Sequence, residues 1–262
     1  MSEDAKVLRL SITDVCPLNC PFCYASKSNR TLKKDVIKEI IREAFDDGYM
    51  HVAIGGGEPL CVLPELTEAI EVAKHFGMNV AITTSGFGLT KEKLKHLKKC
   101  GVDIIHLSLG AYRENNIEAY RLLTQHEVRF GINLLISQKL IAKLIAILKR
   151  FEEDGAHQVT ILLPKMGAPR LSIDAFINYL EKLKIIENEI KSMQVYIDCL
   201  TNRILTGKCY PQGCSFFTDL TVSRCAFGAP KAKWNGILTK AVDEANRAFS
   251  DCLLVKTSER IK

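Results

Sequence analysis

The sequence lacks the features that mark secreted and membrane proteins. Residues 1–6 contain no apolar run of the kind that forms the core of a signal peptide. No stretch of the chain approaches the roughly 18 uninterrupted apolar residues of a membrane-spanning helix. These absences predict a cytoplasmic protein with no membrane partner. Because the cytoplasm is reducing, clustered cysteines among the ten are more readily explained as metal ligands than as disulfides.

The chain also lacks a strong charge of either sign. Its net charge is +6, and many of the basic residues lie in segments of helical period, where solvent-exposed side chains are expected. This balance argues against nucleic acid as a partner. With 262 residues, of which 47% are hydrophobic, the chain is long enough to bury a large single core.

Three cysteines, Cys16, Cys20 and Cys23, follow the first predicted strand with the spacing C-x3-C-x2-C. Thiolates are the usual ligands of iron–sulfur clusters, and three of them leave one iron of a four-iron cluster open to a substrate or cofactor. Structural zinc normally takes four ligands, often in C-x2-C pairs, so zinc is the weaker alternative. The loop therefore predicts a [4Fe-4S] cluster with an open iron.

Short β-branched runs alternate with helical periods from residue 7 to residue 163. The alternation predicts an α/β fold with a parallel sheet, right-handed crossovers and an active site at the carboxyl ends of the strands. The predicted strands are 7–12, 51–54, 78–83, 104–109, 130–136 and 158–163. The predicted helices are 33–47, 64–76, 91–100, 115–124 and 139–153, and a longer helix is predicted over 171–193.

Glycine-rich and polar segments follow several of these strands. Gly55-Gly56-Gly57-Glu58-Pro59 follows the second strand, where consecutive glycines let a ligand approach the backbone and Glu58 suits an ammonium group. Thr84 and Ser85 follow the third strand and Ser108 the fourth; Thr84 and Ser108 are equally explained as hydroxyls that cap the next helix. Leu163, at the sixth strand end, suits an adenine face or simple core.

The cysteine loop, with Phe22 before its third cysteine, and the Gly-Gly-Glu-Pro segment resemble the radical S-adenosylmethionine (radical SAM) superfamily. The resemblance implies a (β/α)6 partial TIM barrel in which a cluster on Cys16, Cys20 and Cys23 cleaves S-adenosylmethionine reductively. The 5′-deoxyadenosyl radical so formed abstracts hydrogen from a substrate. The cofactor-binding residues that it implies are Phe22, Gly56, Gly57, Glu58, Thr84, Ser85, Ser108 and Leu163.

The C-terminal third has a different character, with Cys199, Cys209, Cys214 and Cys225 in a segment of few helix signals. Residues 214–227 resemble the Cys-hairpin-Cys of twitch and SPASM extensions, although Leu220 stands where glycine is usual. The resemblance implies an auxiliary [4Fe-4S] cluster, with a structural zinc site as the alternative and Cys252 as an alternative ligand to Cys209. The implied domains are a barrel (1–170), a connecting helix (171–194) and an auxiliary domain (195–262), with a further helix over 231–249.

The substrate is less well defined than the cofactor. The cofactor half resembles the GTP 3′,8-cyclases of molybdenum cofactor biosynthesis, but Ala53, Gly131 and Phe216 stand where those enzymes carry basic substrate-binding residues. The superfamily resemblance implies a peptide or protein substrate, or a small molecule, and a flavodoxin- or ferredoxin-like reductant. A non-catalytic electron carrier or zinc-stabilised scaffold is the opposing hypothesis, and Glu58 beside an intact three-cysteine loop favours the enzyme.

Overall fold

The computed structural model of the chain describes residues 6–23, 25, 27–109, 114–165, 171–206, 213–225 and 231–248. Strands and helices alternate through its first two thirds, as the sequence predicts. The strands are β1 (Val7–Thr13), β2 (His51–Gly56), β3 (Asn79–Thr84), β4 (Ile104–Leu109), β5 (Phe130–Leu135), β6 (Gln158–Leu162), β7 (Gln194–Ile197), β8 (Gly213–Phe216), β9 (Thr221–Ser223) and β10 (Ala232–Lys233).

The helices cover the crossovers between the parallel strands. They are α1 (Lys34–Asp46), α2 (Leu63–His75), α3 (Lys91–Cys100), α4 (Glu114–Gln125), α5 (Gln138–Ala142), α6 (Leu144–Glu153), α7 (Ile173–Glu189), α8 (Cys199–Thr206) and α9 (Leu238–Ala248), with a 3₁₀ helix at Pro59–Cys61. Within the described ranges, none of these helices is both long and apolar enough to cross a membrane.

All described strands belong to one open sheet in the order β10-β9-β8-β1-β2-β3-β4-β5-β6-β7. Strands β1 to β7 are parallel and follow one another in sequence order. Right-handed crossovers between sequential parallel strands place their connecting helices, α1 to α7, on the same face of the sheet. The sheet is therefore a partial barrel with its helices outside, which confirms the predicted fold class.

The two faces of the sheet differ in polarity. In β1, Leu8, Leu10 and Ile12 are at most 1% exposed and form part of the core under the helices, while Arg9 and Ser11 alternate with them on the inner face. The strand registers place both polar and apolar residues on the rest of this face, namely Thr83, His106, Asn133, Gln158 and Thr160 together with Ala53, Ala81, Leu135 and Leu162. The inner face is therefore mixed in polarity, whereas the face under the helices is apolar.

The C-terminal hairpin extends the barrel sheet. Strand β8 pairs with β1 in parallel, and β9 and β10 follow in antiparallel order. The turn contains Asp219 and Leu220, and Leu220 has a φ of 59°, the left-handed conformation for which glycine is usual. The hairpin is thus present as predicted, whereas the division into three domains stays a prediction.

Several elements differ from the prediction. Strand β7 was not predicted, because it is only four residues long and lies at the sheet edge, where its side chains are partly exposed. Helix α8 begins at Cys199, in a segment with few helix signals. The predicted helix 139–153 is two helices that meet at Lys143, and the predicted helix 231–249 is β10 followed by α9.

Candidate active site at the carboxyl ends of the strands

The cysteine loop lies at the carboxyl end of β1. Cys16 and Cys20 are partly exposed and Cys23 is exposed, and the Cys23 N–H donates to the Cys20 carbonyl at 3.1 Å. Burial raises the pKa of the Cys16 thiol, the Leu18 backbone N–H lowers it, and the nearby Glu58, Cys20 and Cys23 raise it further. The three thiols and Glu58 thus lie close enough to interact electrostatically.

Backbone contacts join the glycine-rich segment to this loop. The Gly57 N–H donates to the Thr13 carbonyl at 2.6 Å, and the Glu58 N–H donates to the Val15 carbonyl at 2.8 Å. A Cβ atom on Gly57 would lie 2.3 Å from the Val15 carbonyl oxygen. The approach is therefore possible only for glycine, and it sets the end of β2 directly against the start of the cysteine loop.

Glu58 is a buried carboxylate that bridges the ends of β2 and β3. The residue is only 1% exposed, and four hydrogen-bond donors of the protein contact its carboxylate. Thr84 Oγ1 and the Leu60 N–H donate to Oε1 at 2.6 and 3.2 Å, and the Ser85 N–H donates to Oε2 at 2.8 Å, as does its hydroxyl at 2.5 Å. Thr84 and Ser85 therefore orient Glu58. They do not cap α3, whose first turn is capped by Thr90.

Ser108, at the end of β4, contacts a residue of α4 that the sequence analysis did not select. Asn116 Nδ2 donates to the Ser108 carbonyl at 2.7 Å. Asn116 is 6% exposed, and its Oδ1 has no hydrogen-bond partner among the residues that the structure describes. A buried acceptor without a donor is costly, so this oxygen suits a ligand hydroxyl at the strand end. An asparagine inside a helix gives no sequence signal for this role.

At the ends of β6 and β7, Asp198 organises a buried ion pair. Its carboxylate accepts from the Leu163 N–H at 3.1 Å, from the Thr201 N–H at 2.8 Å and from Lys165 Nζ at 2.8 Å. Leu163 is 5% exposed and packs in the hydrophobic core. Its burial favours the interpretation as a core residue over that as an adenine contact. Leu162, which is in register with Leu135, is the residue on the inner face at this level.

The inner face below these strand ends carries a hydrogen-bonded set of polar side chains. His106, Gly131 and Gln158 stand side by side in register, and Gln158 Nε2 lies 3.2 Å from His106 Nε2. A Cβ on Gly131 would lie 2.8 Å from Gln158 Cγ, so glycine makes room for this contact. Burial lowers the pKa of His106, and a hydrogen bond with Asn133 opposes the shift. These side chains therefore form a polar set near the amino ends of β5 and β6.

Comparison with known proteins identifies the domain. Residues 10–134 match the family model described as the radical SAM superfamily. This chain contains a radical SAM domain. It is 27% identical over 172 residues to the PqqA peptide cyclase of Gluconobacter oxydans (strain 621H), which covers 59% of this chain and 48% of the relative. The chain thus spans about half the length of that curated relative.

Solved structures share the fold of the radical SAM domain and of the C-terminal elements. Streptococcus suis SuiB bound to S-adenosylmethionine matches with a TM-score of 0.75 at 15% identity, over 97% of this chain and 68% of that one. The protein anSMEcpe, with bound AdoMet and Cp18Cys peptide, matches with a TM-score of 0.70 at 17% identity, over 93% of this chain and 82% of that one. At these identities the likeness concerns the fold alone.

The residues at this edge of the sheet fit a cluster and S-adenosylmethionine. Three cysteines share one loop, Gly56 and Gly57 bring the backbone close to it, and Asn116 Oδ1 offers an acceptor. Across the described ranges, no three His, Cys, Asp or Glu side chains converge on one metal-sized point. The ligand set is therefore inferred from spacing and position, and Phe22, partly buried on the loop, stays a predicted contact.

Of the C-terminal cysteines that the structure describes, Cys214 and Cys225 lie at one end of the sheet and Cys199 lies at the other. Cys199 starts α8 after β7, at the carboxyl end of the sheet. Cys214 is in register with Leu8 near the amino end of β1, and Cys225 follows β9 at that same end of the hairpin. Cys214 is fully buried on the helix side, where burial raises the pKa of its thiol and the nearby Tyr49 hydroxyl lowers it. Cys209 and Cys252 lie outside the described residues.

Proposed function

We propose that the chain is a radical SAM enzyme that acts on a peptide or protein. When bound, a [4Fe-4S] cluster and S-adenosylmethionine supply a 5′-deoxyadenosyl radical for hydrogen abstraction. The observation that carries the proposal is the docking of Gly57 and Glu58 onto Thr13 and Val15, beside Cys16. It sets a three-cysteine loop and a buried carboxylate side by side at the carboxyl ends of β1 and β2.

The residues of the chain have distinct roles in this proposal. Cys16, Cys20 and Cys23 would hold the cluster, and the backbone at Gly56 and Gly57 would bind the methionine end of the cofactor. Glu58 shapes that end, because Thr84 and Ser85 fix the orientation of its carboxylate. Ser108 and Asn116 lie at the next strand end, where the acceptor on Asn116 suits a ribose hydroxyl. The inner face lies below, within reach of a substrate.

The cleavage step is tested without a substrate. The protein is reconstituted with iron and sulfide under anaerobic conditions and incubated with dithionite and S-adenosylmethionine, and 5′-deoxyadenosine is measured by mass spectrometry. Cys20→Ala should abolish its formation, because one cluster ligand is removed from an exposed loop. Cys100→Ala is the matched control, since Cys100 lies on α3 beside His96 and away from the loop. Equal product from both variants contradicts the ligand assignment.

A peptide is favoured over a small molecule by the comparisons. The PqqA peptide cyclase is named for a peptide, and anSMEcpe is matched in a form with bound peptide. Cell extract is separated into a peptide fraction and a metabolite fraction, and each is added to the reconstituted enzyme. Stimulation of 5′-deoxyadenosine formation by the peptide fraction, lost after protease treatment, supports the proposal. Stimulation by the metabolite fraction alone supports a small-molecule substrate instead.

Two further predictions concern electron transfer, namely the protein that reduces the cluster and an auxiliary cluster. A flavodoxin- or ferredoxin-like protein is proposed as the reductant, and dithionite replaces it in the experiment above. An auxiliary cluster stays a separate prediction, which the proposed reaction does not use. Its four predicted ligands include Cys199 and Cys214, which lie at opposite ends of the sheet.

A further inference from the structure

We propose that Asp14 is a positioning residue, through which the tip of the β8–β9 hairpin holds the cysteine loop in its cluster-binding shape. The inference rests on the proposed function in one respect, namely that the loop binds a cluster. It assigns a role to the hairpin that is independent of any metal of its own.

The contacts of Asp14 converge on one carboxylate oxygen. Asp14 is 7% exposed and stands two residues before Cys16. Thr218 Oγ1 donates to its Oδ2 at 2.7 Å, the Ser28 hydroxyl donates to the same oxygen, and Arg30 Nε and Nη2 lie 3.4 Å from it. A buried carboxylate is stable only with such partners, so its position is determined by all three.

These partners come from two distant parts of the chain. Ser28 and Arg30 lie where the cysteine loop returns, and the base of the loop is closed by the Asp14 N–H, which donates to the Arg30 carbonyl at 2.7 Å. Thr218 belongs to the turn between β8 and β9, 204 residues further along the chain. Asp14 therefore ties both ends of the loop to the tip of the C-terminal hairpin.

The physical consequence concerns the order of the loop. A cluster needs three thiolates in place at once, and ordering a free loop costs conformational entropy for each residue. A loop whose base is already held loses less entropy on binding, which strengthens ligand binding without a new contact to the ligand. The Thr218 hydroxyl should therefore influence cluster retention although Thr218 is no ligand.

The test compares two threonines of the same hairpin. Thr218→Val removes the donor to Asp14 and keeps a β-branched side chain. Thr221→Val is the matched control, because the Thr221 hydroxyl donates to Asp219 and not to Asp14. Iron release from the reconstituted protein to a ferrous chelator should be about tenfold faster in Thr218→Val than in Thr221→Val, a factor that corresponds to about 1.4 kcal/mol. Circular dichroism checks that both variants fold.

A second readout needs no iron. Amide hydrogen exchange of residues 15–28 in the iron-free protein should be faster in Thr218→Val and unchanged in Thr221→Val. Equal exchange and equal iron release in the two variants overturn the positioning role. A parent protein that binds no iron refutes the proposed function instead, and hydrogen exchange then still decides whether Thr218 orders the loop.

Discussion

At the scale of single residues, the three consecutive glycines have different roles. A Cβ on Gly56 would lie 2.3 Å from the carbonyl oxygen of Thr13, at the end of β1, and a Cβ on Gly57 would lie 2.3 Å from that of Val15; Gly56 also has a φ of 123°. A Cβ on Gly55 would meet only Thr83 Cβ, at an ordinary 3.9 Å. Two of the glycines are therefore required by the approach of two backbones, and the first is not.

Alanine substitutions should separate these roles. Gly57→Ala forces the end of β2 away from Val15 and should lower the free energy of unfolding by about 1–3 kcal/mol, the usual cost of overpacking. Gly55→Ala is the matched control and should change it by less than about 0.5 kcal/mol. Urea unfolding of the iron-free proteins measures both values. A similar loss in the two variants would refute the steric explanation.

The same residues show what the sequence predicts about a site and what it does not. Glu58 and the glycines could be selected from the sequence, because the Gly-Gly-Glu-Pro motif is contiguous in the chain. The sequence selected Thr84 and Ser85 as cofactor contacts. It could not predict that they donate hydrogen bonds to Glu58, because this contact depends on how β2 and β3 align. Asp14 and Asn116 gave no signal, since their partners Thr218 and Ser108 are reached only in the folded chain.

At the scale of elements, α9 is held against α1 by one carboxylate. Glu43 Oε2 accepts from Trp234 Nε1 at 3.1 Å and from the N–H of Leu238, the first residue of α9, at 2.7 Å. An acidic group at a helix N-terminus is favourable, since the free N–H groups there carry partial positive charge. Trp234 is 9% exposed and is the only tryptophan of the chain, so it reports on this contact.

Removal of that carboxylate should loosen α9. Glu43→Ala leaves the Trp234 and Leu238 donors without their acceptor and should lower the free energy of unfolding by about 1–3 kcal/mol. Trp234 emission should shift to longer wavelength and become more accessible to acrylamide. Glu39→Ala, an exposed position on the same helix, is the control and should leave the emission unchanged. Unchanged emission in Glu43→Ala would contradict the described contact.

The strands that the sequence predicted and those that it missed differ in a physical way. The six predicted strands have five to seven residues each and bury apolar side chains under the helices. They therefore contain apolar runs that are long enough to recognise in the sequence. The strands β7 and β10 contain four and two residues and lie at the two edges of the sheet. Few side chains are buried at an edge, so the sequence there carries little periodic signal.

At the scale of the whole molecule, the two ends of the chain meet in one sheet. The pairing of β8 with β1, and the contact between Trp234 and Glu43 across 191 residues, are long-range choices that no local pattern specifies. One consequence is the environment of Cys214. The sequence places this residue in a cysteine-rich hairpin, whereas the structure buries its thiol between the sheet and Tyr49.

That burial predicts a pH dependence of stability. Burial raises the pKa of the Cys214 thiol to about 11, against which the hydrogen bond from Tyr49 acts. The unfolded thiol ionises near its ordinary pKa of about 8.5. The native state thus favours the protonated thiol, so its contribution to stability is complete below about pH 8.5 and is lost as the pH rises through about 11. The difference between these two pKa values corresponds to roughly 3 kcal/mol.

The variant Cys214→Ala isolates this contribution. The free energy of unfolding of the iron-free protein should fall more steeply above about pH 8.5 than that of Cys214→Ala, because ionisation of the other groups affects both proteins alike. Cys100→Ala, at a partly exposed thiol, should give a smaller difference. Because Cys214 and Cys199 lie at opposite ends of the sheet, the reconstituted Cys214→Ala protein should also keep all of its iron. Loss of iron from a folded Cys214→Ala protein, together with a flat difference curve, would instead assign Cys214 to the auxiliary cluster that its hairpin resembles.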